Sequence, residues 1–296
     1  MVGASVGNLK RSDQIQGLSI TPLTGTFGAS LGDMDLSQPM TNEAKSFIFD
    51  TLKQYKLLVI PGQANIDPVH LVEFARIFGT PEETPHVIYS DYPGVPAVKV
   101  LQSSGVSADD GRVKEKLDFG PAAPLDTWHT DGSTRGHDKF RWISVLQAID
   151  IPPWGRDTLF ADMEAAFEGL SGPVRDFLSN LSASHEEGGG HLVALGHQRT
   201  KPPTVHPVVI QDPKTGRHTL YVNRMYTRWI EDLRPDESQS LLEFLFRQTQ
   251  RPEYQARVVW KPGSIVVWDN ARTQHYLVQD MSYKRVMHRV MALEHE

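Results

Sequence analysis

His129 and Asp131, a histidine and an aspartate two residues apart, are the pair in this chain best suited to hold a metal ion. In an extended strand, residues i and i+2 point to the same face, so this imidazole and this carboxylate can converge on one ion. The pair alone is a weak indication, because the chain contains 12 histidines. A metal site here requires a third ligand from elsewhere in the sequence.

A later histidine would complete a triad of two histidines and one carboxylate, the usual protein site for non-haem Fe(II), which leaves coordination positions open. The chain has no cysteine, so nitrogen and oxygen atoms must hold any metal. His275 is the best third ligand, because it follows a predicted strand over 264–268 and precedes two arginines. Taken alone, it is also compatible with a surface or hydrogen-bonded core histidine. The other candidates are His185, His191, His197, His206, His218 and His288.

Arg285 and Arg289 lie four residues apart, a spacing that places both side chains on one face of a strand. Inward guanidinium groups in a β-barrel are unfavourable unless they meet anions. A guanidinium binds a carboxylate through two hydrogen bonds and stays charged. We therefore expect one arginine to bind a dicarboxylate cosubstrate and the other an anionic substrate. The alternative is a salt-bridged pair at the rim of a sheet.

Short strands and a few helices must position these residues. Apolar runs and alternation predict two short strands within 18–36 and further strands over 57–60, 95–101, 142–149, 158–161, 205–211, 219–222, 257–260, 264–268, 274–278 and 289–293. Helical periodicity predicts helices over 41–55, 68–79, 165–181 (in two pieces around Gly172 and Pro173) and 235–250. The pattern indicates a mainly β fold with flanking helices, an α+β chain built on a closed or double sheet.

The chain shows no internal repeat and no low-complexity linker, which indicates a single domain over 18–296 after a disordered tail over 1–17. Two long irregular stretches, near 80–126 and 184–203, are candidate lid loops, since such connections in compact domains are usually functional or disordered. For the charged segment 109–116 the alternative is a solvated loop.

Composition excludes several classes of partner. The net charge of −6, without a basic block, argues against nucleic acid. No apolar run approaches 18 residues, so no membrane span is expected. The N-terminus lacks the apolar core of a signal peptide, and the absence of cysteine is consistent with the cytoplasmic location that we expect.

Six short motifs contain or surround most of these residues. They are His129-Thr130-Asp131, Gly155-Arg156-Asp157-Thr158, Leu220-Tyr221-Val222-Asn223, Trp268-Asp269-Asn270, Thr273-Gln274-His275-Tyr276 and Arg285-Val286-Met287-His288-Arg289. In this order and at this spacing they resemble the TauD/TfdA family of Fe(II)- and 2-oxoglutarate-dependent dioxygenases, over about residues 18–293. Taurine dioxygenase, alkylsulfatase and the aryloxyalkanoate dioxygenases belong to that family.

The resemblance implies a double-stranded β-helix, a cupin-like jelly roll, and a homo-oligomer, either a dimer or a tetramer. It implies that His129, Asp131 and His275 bind Fe(II), with 2-oxoglutarate and O2 as cosubstrates. Succinate and CO2 would be the coproducts of hydroxylation. No catalytic base or nucleophile is needed for this chemistry.

The resemblance also assigns the remaining positions. Thr158 would hydrogen-bond the distal carboxylate of 2-oxoglutarate, Arg285 would form a salt bridge with it, and Arg289 would face an anionic substrate. Further candidates for substrate contacts are His86, Tyr89 and Arg224. The alternative for His86 is a solvent-exposed histidine, for Tyr89 packing within a loop, and for Arg224 the cap of a hairpin.

One departure affects the substrate. Taurine-type members carry an asparagine four residues before the first iron-binding histidine, where this chain has Leu125. Leu125 makes the predicted pocket more apolar and argues against sulfonate recognition of the taurine kind.

The residues and the family resemblance together are compatible with three functions. The first is hydroxylation of a small anionic organic substrate, such as a sulfonate, a sulfate ester or a carboxylate, by an Fe(II)- and 2-oxoglutarate-dependent dioxygenase. The second is the same chemistry on an amino acid-like or larger intermediate in specialised metabolism, which Leu125 and the segment 108–116 favour. The third is a non-catalytic metal-binding β-barrel, against which the intact ligands and both arginines count.

Overall fold

The strands that carry the candidate residues form two sheets that face each other. The computed structural model of the protein describes residues 18–84, 89–103, 127–136, 141–186, 202–278 and 284–294. Its strands are β1 Ser19–Pro22, β2 Ala29–Gly32, β3 Leu57–Ile60, β4 Gly79–Pro81, β5 Ser90–Tyr92, β6 Val95–Ser103, β7 Trp142–Asp150, β8 Thr158–Asp162, β9 Ser182–His185, β10 Thr204–Pro207, β11 Val209–Gln211, β12 His218–Leu220, β13 Thr227–Ile230, β14 Gln255–Val258, β15 Ile265–Asp269, β16 Thr273–Leu277 and β17 Arg285–Glu294. Its helices are α1 Asn42–Tyr55, α2 Pro68–Ala75, α3 Met163–Glu168, α4 Gly172–Leu178 and α5 Pro235–Thr249, with a short 3-10 helix at Pro252–Tyr254.

Within the described residues, nine strands form the larger sheet, in the order β1-β2-β3-β15-β7-β17-β6-β5, with β4 paired to β17. A smaller sheet has the order β14-β8-β16. β10-β9-β13 and the hairpin β11-β12 form two further small sheets. Most pairings are antiparallel, whereas β2 pairs with β3 in parallel. The prediction of a mainly β fold with a few helices is confirmed.

One apolar cluster fills the space between the two sheets. It joins Leu146, Trp268 and Met287 of the larger sheet to Phe160 and Ala256 of the smaller one. A second cluster packs the opposite face of the larger sheet against α1 and α2. A third cluster joins α3, α4 and α5 to residues of β9, β12 and β13. Side chains that point between the sheets therefore share one interior.

The helix starts follow from local chemistry. Thr41 caps α1 by accepting a hydrogen bond from the backbone N–H of Ala44, and Asp67 caps α2 by accepting one from His70. Pro68 occupies the first turn of α2, where a missing N–H costs nothing. These caps and the start of α4 at Gly172 confirm the predicted starts of these three helices, whereas α3 begins at Met163, before the predicted 165.

α2 ends at Ala75, whereas the periodicity predicts a helix to Gly79. Residues 76–78 form a turn, and Gly79 begins β4, which pairs with the end of β17. A Cβ atom at Gly79 would lie 2.0 Å from the carbonyl oxygen of Leu293, so glycine alone permits this approach. A tertiary contact thus overrides the helical pattern.

The strands β4, β5, β9 and β13 are absent from the predicted set. Ser184 and His185 of β9 are buried, so the candidate lid over 184–203 is wrong for its first residues, which belong to a paired strand. The polar sequence does not indicate a buried strand, because what permits burial is tertiary: the Ser184 hydroxyl hydrogen-bonds the Glu231 carboxylate.

Several predicted segments lie outside the described residues. These are the tail over 1–17 and, within the two candidate lids, residues 85–88, 104–126 and 187–201. No helix in the described part of the chain has the length and apolar character needed to span a lipid bilayer.

Candidate metal centre

A direct backbone bridge brings the two predicted histidine ligands together. His129 N–H donates to the carbonyl of His275 at 3.0 Å, and His275 N–H donates back at 2.8 Å. The centroids of the two rings are 4.1 Å apart. Asp131 then begins a turn. The extended-strand geometry that the sequence predicts for His129 and Asp131 is therefore wrong, because the two side chains converge through a bridge and a turn.

The carboxylate of Asp131 lies between the two imidazoles. Its Oδ1 is 3.7 Å from Nε2 of His129, and its Oδ2 is 4.0 Å from Nε2 of His275. One ligand atom from each of the three side chains lies within 4.8 Å of the others. In the described part of the chain, this is the one cluster of three or more histidine and acidic side chains arranged so closely.

Protonation suits a divalent cation. Nδ1 of His129 lies 2.7 Å from the carbonyl oxygen of Thr127, which can only accept, so Nδ1 holds the proton and Nε2 keeps its lone pair. Burial lowers the pKa of His129, and it lowers the pKa of His275 to about 3, so both rings are neutral near pH 7. Burial opposes ionisation of Asp131, but the charged and polar groups around it, of which Arg289 contributes most, together outweigh burial and hold the pKa of that carboxyl below its usual range. Two neutral nitrogens and one anionic oxygen fit Fe(II).

Asp131 is held in place by residues on β7 and on the turn after β15. The backbone N–H of Asp131 donates to Oδ1 of Asn270 at 3.2 Å. The Ser144 hydroxyl donates to Oδ2 of Asp131 at 3.3 Å. Asn270 Nδ2 donates to the same hydroxyl at 2.9 Å. Sequence reasoning did not identify Ser144 and gave Asn270 no role, although the motif Trp268-Asp269-Asn270 is the signal that points to it.

Arg289, a predicted substrate contact, lies beside the triad, and Tyr89, another, lies against Arg289. Nη1 of Arg289 is 3.4 Å from Oδ2 of Asp131, and its guanidinium carbon is 5.0 Å from the centre of the Tyr89 ring. Arg289 is 7% exposed, and its Nε has no hydrogen-bond partner among the described residues. A buried guanidinium beside the metal ligands can receive an anion.

The two arginines of β17 share one face, as predicted. β17 pairs with β6 without interruption from Arg285 to Arg289, and the irregularity between β17 and β7 takes up one extra residue of β7. Nη1 of Arg285 lies 3.5 Å from the carbonyl oxygen of Arg156, which precedes Thr158 by two residues.

Thr158 lies on the same face of the smaller sheet as His275. In the register of β8 with β16, Phe160 opposes His275 and Thr158 opposes Leu277. Trp260 Nε1 donates a hydrogen bond to Oγ1 of Thr158 at 3.0 Å. The structure thus brings Thr158 to the interior that holds the triad.

Of the other three predicted substrate contacts, the structure describes only Arg224. Arg224 Nη2 donates to Oε2 of Glu243 on α5 at 2.7 Å, and its guanidinium carbon is 4.5 Å from the centre of the Phe246 ring. Its guanidinium therefore lies against α5 rather than against the triad. His86 and Leu125 lie outside the described residues.

Comparison with known proteins agrees with this geometry. The sequence model of the taurine catabolism dioxygenase TauD, TfdA family matches residues 19–291. The alkylsulfatase of Acinetobacter baylyi is 32% identical over 93% of this chain and 84% of its own length. The pentalenolactone F synthase of Streptomyces arenae is 30% identical over 93% of this chain and 95% of its own length.

A solved structure has a similar fold. The crystal structure of a taurine dioxygenase from Burkholderia xenovorans superimposes with a TM-score of 0.77 at 27% identity, over 94% of this chain and 90% of that one.

Proposed function

We propose that this chain, which belongs to the taurine catabolism dioxygenase TauD/TfdA family, hydroxylates a small anionic organic substrate. The family membership makes it an Fe(II)- and 2-oxoglutarate-dependent dioxygenase, an oxidoreductase that uses O2. The substrate class that we propose is a sulfonate, a sulfate ester or a carboxylate.

We assign the iron to His129, Asp131 and His275. The support is the cluster itself, with two neutral imidazoles and a carboxylate whose ligand atoms lie within 4.8 Å of one another. When bound, Fe(II) with 2-oxoglutarate and O2 supplies the oxidising power for hydroxylation of a C–H bond, with succinate and CO2 as coproducts. The protein's share is to bind and orient the reactants and to exclude water.

We assign the distal carboxylate of 2-oxoglutarate to Thr158 and Arg285. The Thr158 hydroxyl accepts a hydrogen bond from Trp260, so its single proton is directed to another acceptor. The planar guanidinium of Arg285 supplies paired donors for a carboxylate. Both side chains belong to strands that line the interior between the sheets.

The observation that carries the substrate class is the position of Arg289. Its side chain is buried within 3.4 Å of Asp131, and Nε faces no acceptor among the described residues. A buried cation is costly unless anions surround it, and Asp131 must also neutralise the metal. A substrate anion at Arg289 would complete this charge balance and place its neighbouring C–H bond near the triad.

We further propose that the two facing sheets form a double-stranded β-helix and that the chain works as a cytoplasmic homo-oligomer, a dimer or a tetramer. The cluster shared by both sheets supports the first point. The absence of cysteine is consistent with a reducing compartment.

A second candidate substrate is an amino acid-like or larger intermediate of specialised metabolism. The sequence favours it at Leu125, where taurine-type members carry asparagine. The 30% identity to the pentalenolactone F synthase of Streptomyces arenae supports this second candidate. Family membership gives no support to a non-catalytic β-barrel.

Anaerobic titration of the Fe(II)-loaded protein with 2-oxoglutarate tests the site. We expect the weak visible band of a chelated 2-oxo acid, and we expect no band with Asp131→Ala, which removes a ligand. Asp150→Ala, a change at an exposed carboxylate paired with Lys284, is the matched control and should keep the band. A wild-type protein that is folded and loaded with iron yet shows no band would overturn the assignment.

Succinate formation with a substrate panel tests the substrate class. The panel pairs alkyl sulfates, alkane sulfonates and aryloxy carboxylates with their neutral alcohol or ester analogues, and adds larger carboxylic acids. We expect succinate to depend on the anionic members and Arg289→Ala to abolish that preference. Equal turnover of anionic and neutral analogues would contradict the proposed substrate class.

A further inference from the structure

We infer that Ser144 and Asn270 are positioning residues that hold the Asp131 carboxylate so that Oδ1 alone is presented to the metal. This inference rests on the proposed function, since it concerns the proposed iron ligand. It adds two residues for which neither the sequence motifs nor the family resemblance supplied a role.

Asn270 is fully buried, and its side-chain amide is saturated with hydrogen bonds. Oδ1 accepts from the Asp131 backbone N–H at 3.2 Å and from Trp268 Nε1 at 2.8 Å. Nδ2 donates to the Trp142 carbonyl at 3.0 Å and to the Ser144 hydroxyl at 2.9 Å. The N–H groups and the carbonyl have fixed polarity, so the orientation of the amide is determined.

That orientation sets the direction of the next hydrogen bond. The Ser144 hydroxyl accepts from Asn270 Nδ2, and its one proton is then free to point at Oδ2 of Asp131, 3.3 Å away. Ser144 is fully buried on β7, so no solvent competes for this proton. Asn270 therefore acts on the carboxylate twice, through the Asp131 backbone and through Ser144.

Two donors converge on the same carboxylate oxygen. Ser144 Oγ lies 3.3 Å and Arg289 Nη1 lies 3.4 Å from Oδ2 of Asp131. Oδ1 lies 3.7 Å from Nε2 of His129 and has neither of these donors, whereas Oδ2 lies 4.0 Å from Nε2 of His275. Hydrogen bonds to Oδ2 reduce its availability as a ligand, so the geometry favours a carboxylate that binds the metal through Oδ1.

Binding through one oxygen matters for the count of coordination positions. Two imidazoles and one carboxylate oxygen leave three of six positions, enough for a chelating 2-oxo acid and O2. A carboxylate bound through both oxygens would leave only two. By donating to Oδ2, Ser144 would thus leave one more coordination position of bound Fe(II) for the cosubstrates.

The turn that carries Asn270 is itself anchored. Arg272 is 3% exposed, and its Nε donates to Oδ2 of Asp269 at 2.8 Å. Its Nη1 donates to the carbonyl of Lys53 in α1 at 2.7 Å. Thr273 Oγ1 donates back to the Asp269 carbonyl at 2.8 Å. The amide of Asn270 is therefore presented from a rigid support.

The first test uses Ser144→Ala, which removes one hydroxyl without adding volume. Calorimetric titration of the metal-free protein with Co(II) measures the affinity directly, and the visible spectrum of the Co(II) protein reports the coordination number. We expect Ser144→Ala to bind Co(II) about tenfold more weakly, because loss of a group that hydrogen-bonds a metal ligand typically lowers metal affinity by about 10- to 100-fold. We also expect a changed visible spectrum. The unfolding temperature of the metal-free variant should stay close to that of the control variant.

Ser238→Ala is the matched control. Ser238 is 2% exposed and accepts a hydrogen bond from the backbone N–H of Ile230, remote in the fold from the triad. We expect it to lose stability comparable to that lost by Ser144→Ala, with unchanged Co(II) affinity and spectrum. A general effect of losing a buried hydroxyl would change both variants alike and would overturn the inference.

Asn270→Asp tests the origin of the orientation, because it exchanges the Nδ2 donor for an acceptor of the same shape. The Ser144 proton then has a competing acceptor, so we expect Asn270→Asp to weaken Co(II) binding as well. The double variant with Ser144→Ala should weaken binding by less than the product of the two single-variant fold-changes, because both act through the same hydrogen bond to Asp131. If Asn270→Asp does not fold, the Ser144→Ala pair decides alone. Wild-type protein that binds no Co(II) or Fe(II) would contradict the proposed function, whereas folded variants with wild-type affinity and spectrum would contradict only the present inference.

Discussion

Trp260 donates a hydrogen bond from its indole Nε1 to the hydroxyl oxygen of Thr158 at 3.0 Å, joining two residues that lie 102 positions apart in the chain. Both side chains are buried. A hydroxyl that already accepts from an indole presents its own proton elsewhere. In the proposed site, this hydrogen bond would direct the Thr158 proton to the carboxylate of 2-oxoglutarate.

Trp260→Phe should raise the concentration of 2-oxoglutarate needed for half-maximal succinate formation. Loss of one neutral hydrogen bond corresponds to about 1 kcal/mol, or about a fivefold change. The affinity for Co(II) should not change, because Trp260 is not one of the proposed metal ligands. Trp229→Phe, at an exposed tryptophan, is the control. An unchanged requirement for 2-oxoglutarate would show that the indole does not orient Thr158.

Arg285→Ala and Arg289→Ala should separate the two anion sites. We expect Arg285→Ala to raise the KM for 2-oxoglutarate by about 10- to 100-fold, since a hydrogen bond to a charged group contributes about 1.5–3 kcal/mol. Arg289→Ala should raise the KM for the anionic substrate instead. Steady-state kinetics with each reactant varied in turn measures both effects. The opposite pattern would mean that the roles of the two arginines are exchanged.

His185 should make the stability of the metal-free protein depend on pH. Its ring is fully buried, 5.1 Å from the ring of His206 and 5.7 Å from that of Tyr221. Burial, with the nearby charges of His206 and Arg228, lowers the pKa of His185 from its ordinary 6.5 to about 3. At pH values between these two pKa values, His185 is protonated in the unfolded chain but not in the folded chain. The free energy of unfolding therefore falls as the pH falls.

Urea denaturation at several pH values measures this effect. Relative to His185→Phe, the wild-type free energy of unfolding should fall by up to about 1.4 kcal/mol per pH unit between the two pKa values. His70→Gln, at an exposed histidine, controls for the loss of a titrating ring in general. Parallel curves for the wild type and His185→Phe would refute the prediction.

Arg224→Ala distinguishes a contact with α5 from a contact with substrate. The ion pair with Glu243 is partly exposed, so its loss should cost at most about 1 kcal/mol of stability. Glu243→Ala should cost a similar amount, and neither variant should change the KM for the substrate. A large rise in the KM for the substrate with Arg224→Ala, but not with Glu243→Ala, would show that Arg224 contacts the substrate.

The elements with a strong local pattern could be predicted from the sequence. β3 and β15 are short apolar runs, and α1 and α2 begin at capping residues that the sequence displays. β9 could not be predicted in this way, because its polar residues pair with strands far along the chain and the Ser184 hydroxyl is satisfied by Glu231. The end of α2 likewise depends on β17, more than 200 residues later.

By itself the sequence determined which residue types are available for chemistry: two histidines and an aspartate in ordered motifs, two arginines four apart, and no cysteine. Only the tertiary structure decided how they meet. His129 reaches His275 through backbone hydrogen bonds, and the proton of Ser144 points at Asp131 because Asn270 occupies the other side of that hydroxyl. Hydrogen-bond direction depends on which donors and acceptors are adjacent in space, and adjacency between residues more than 100 positions apart is a property of the fold.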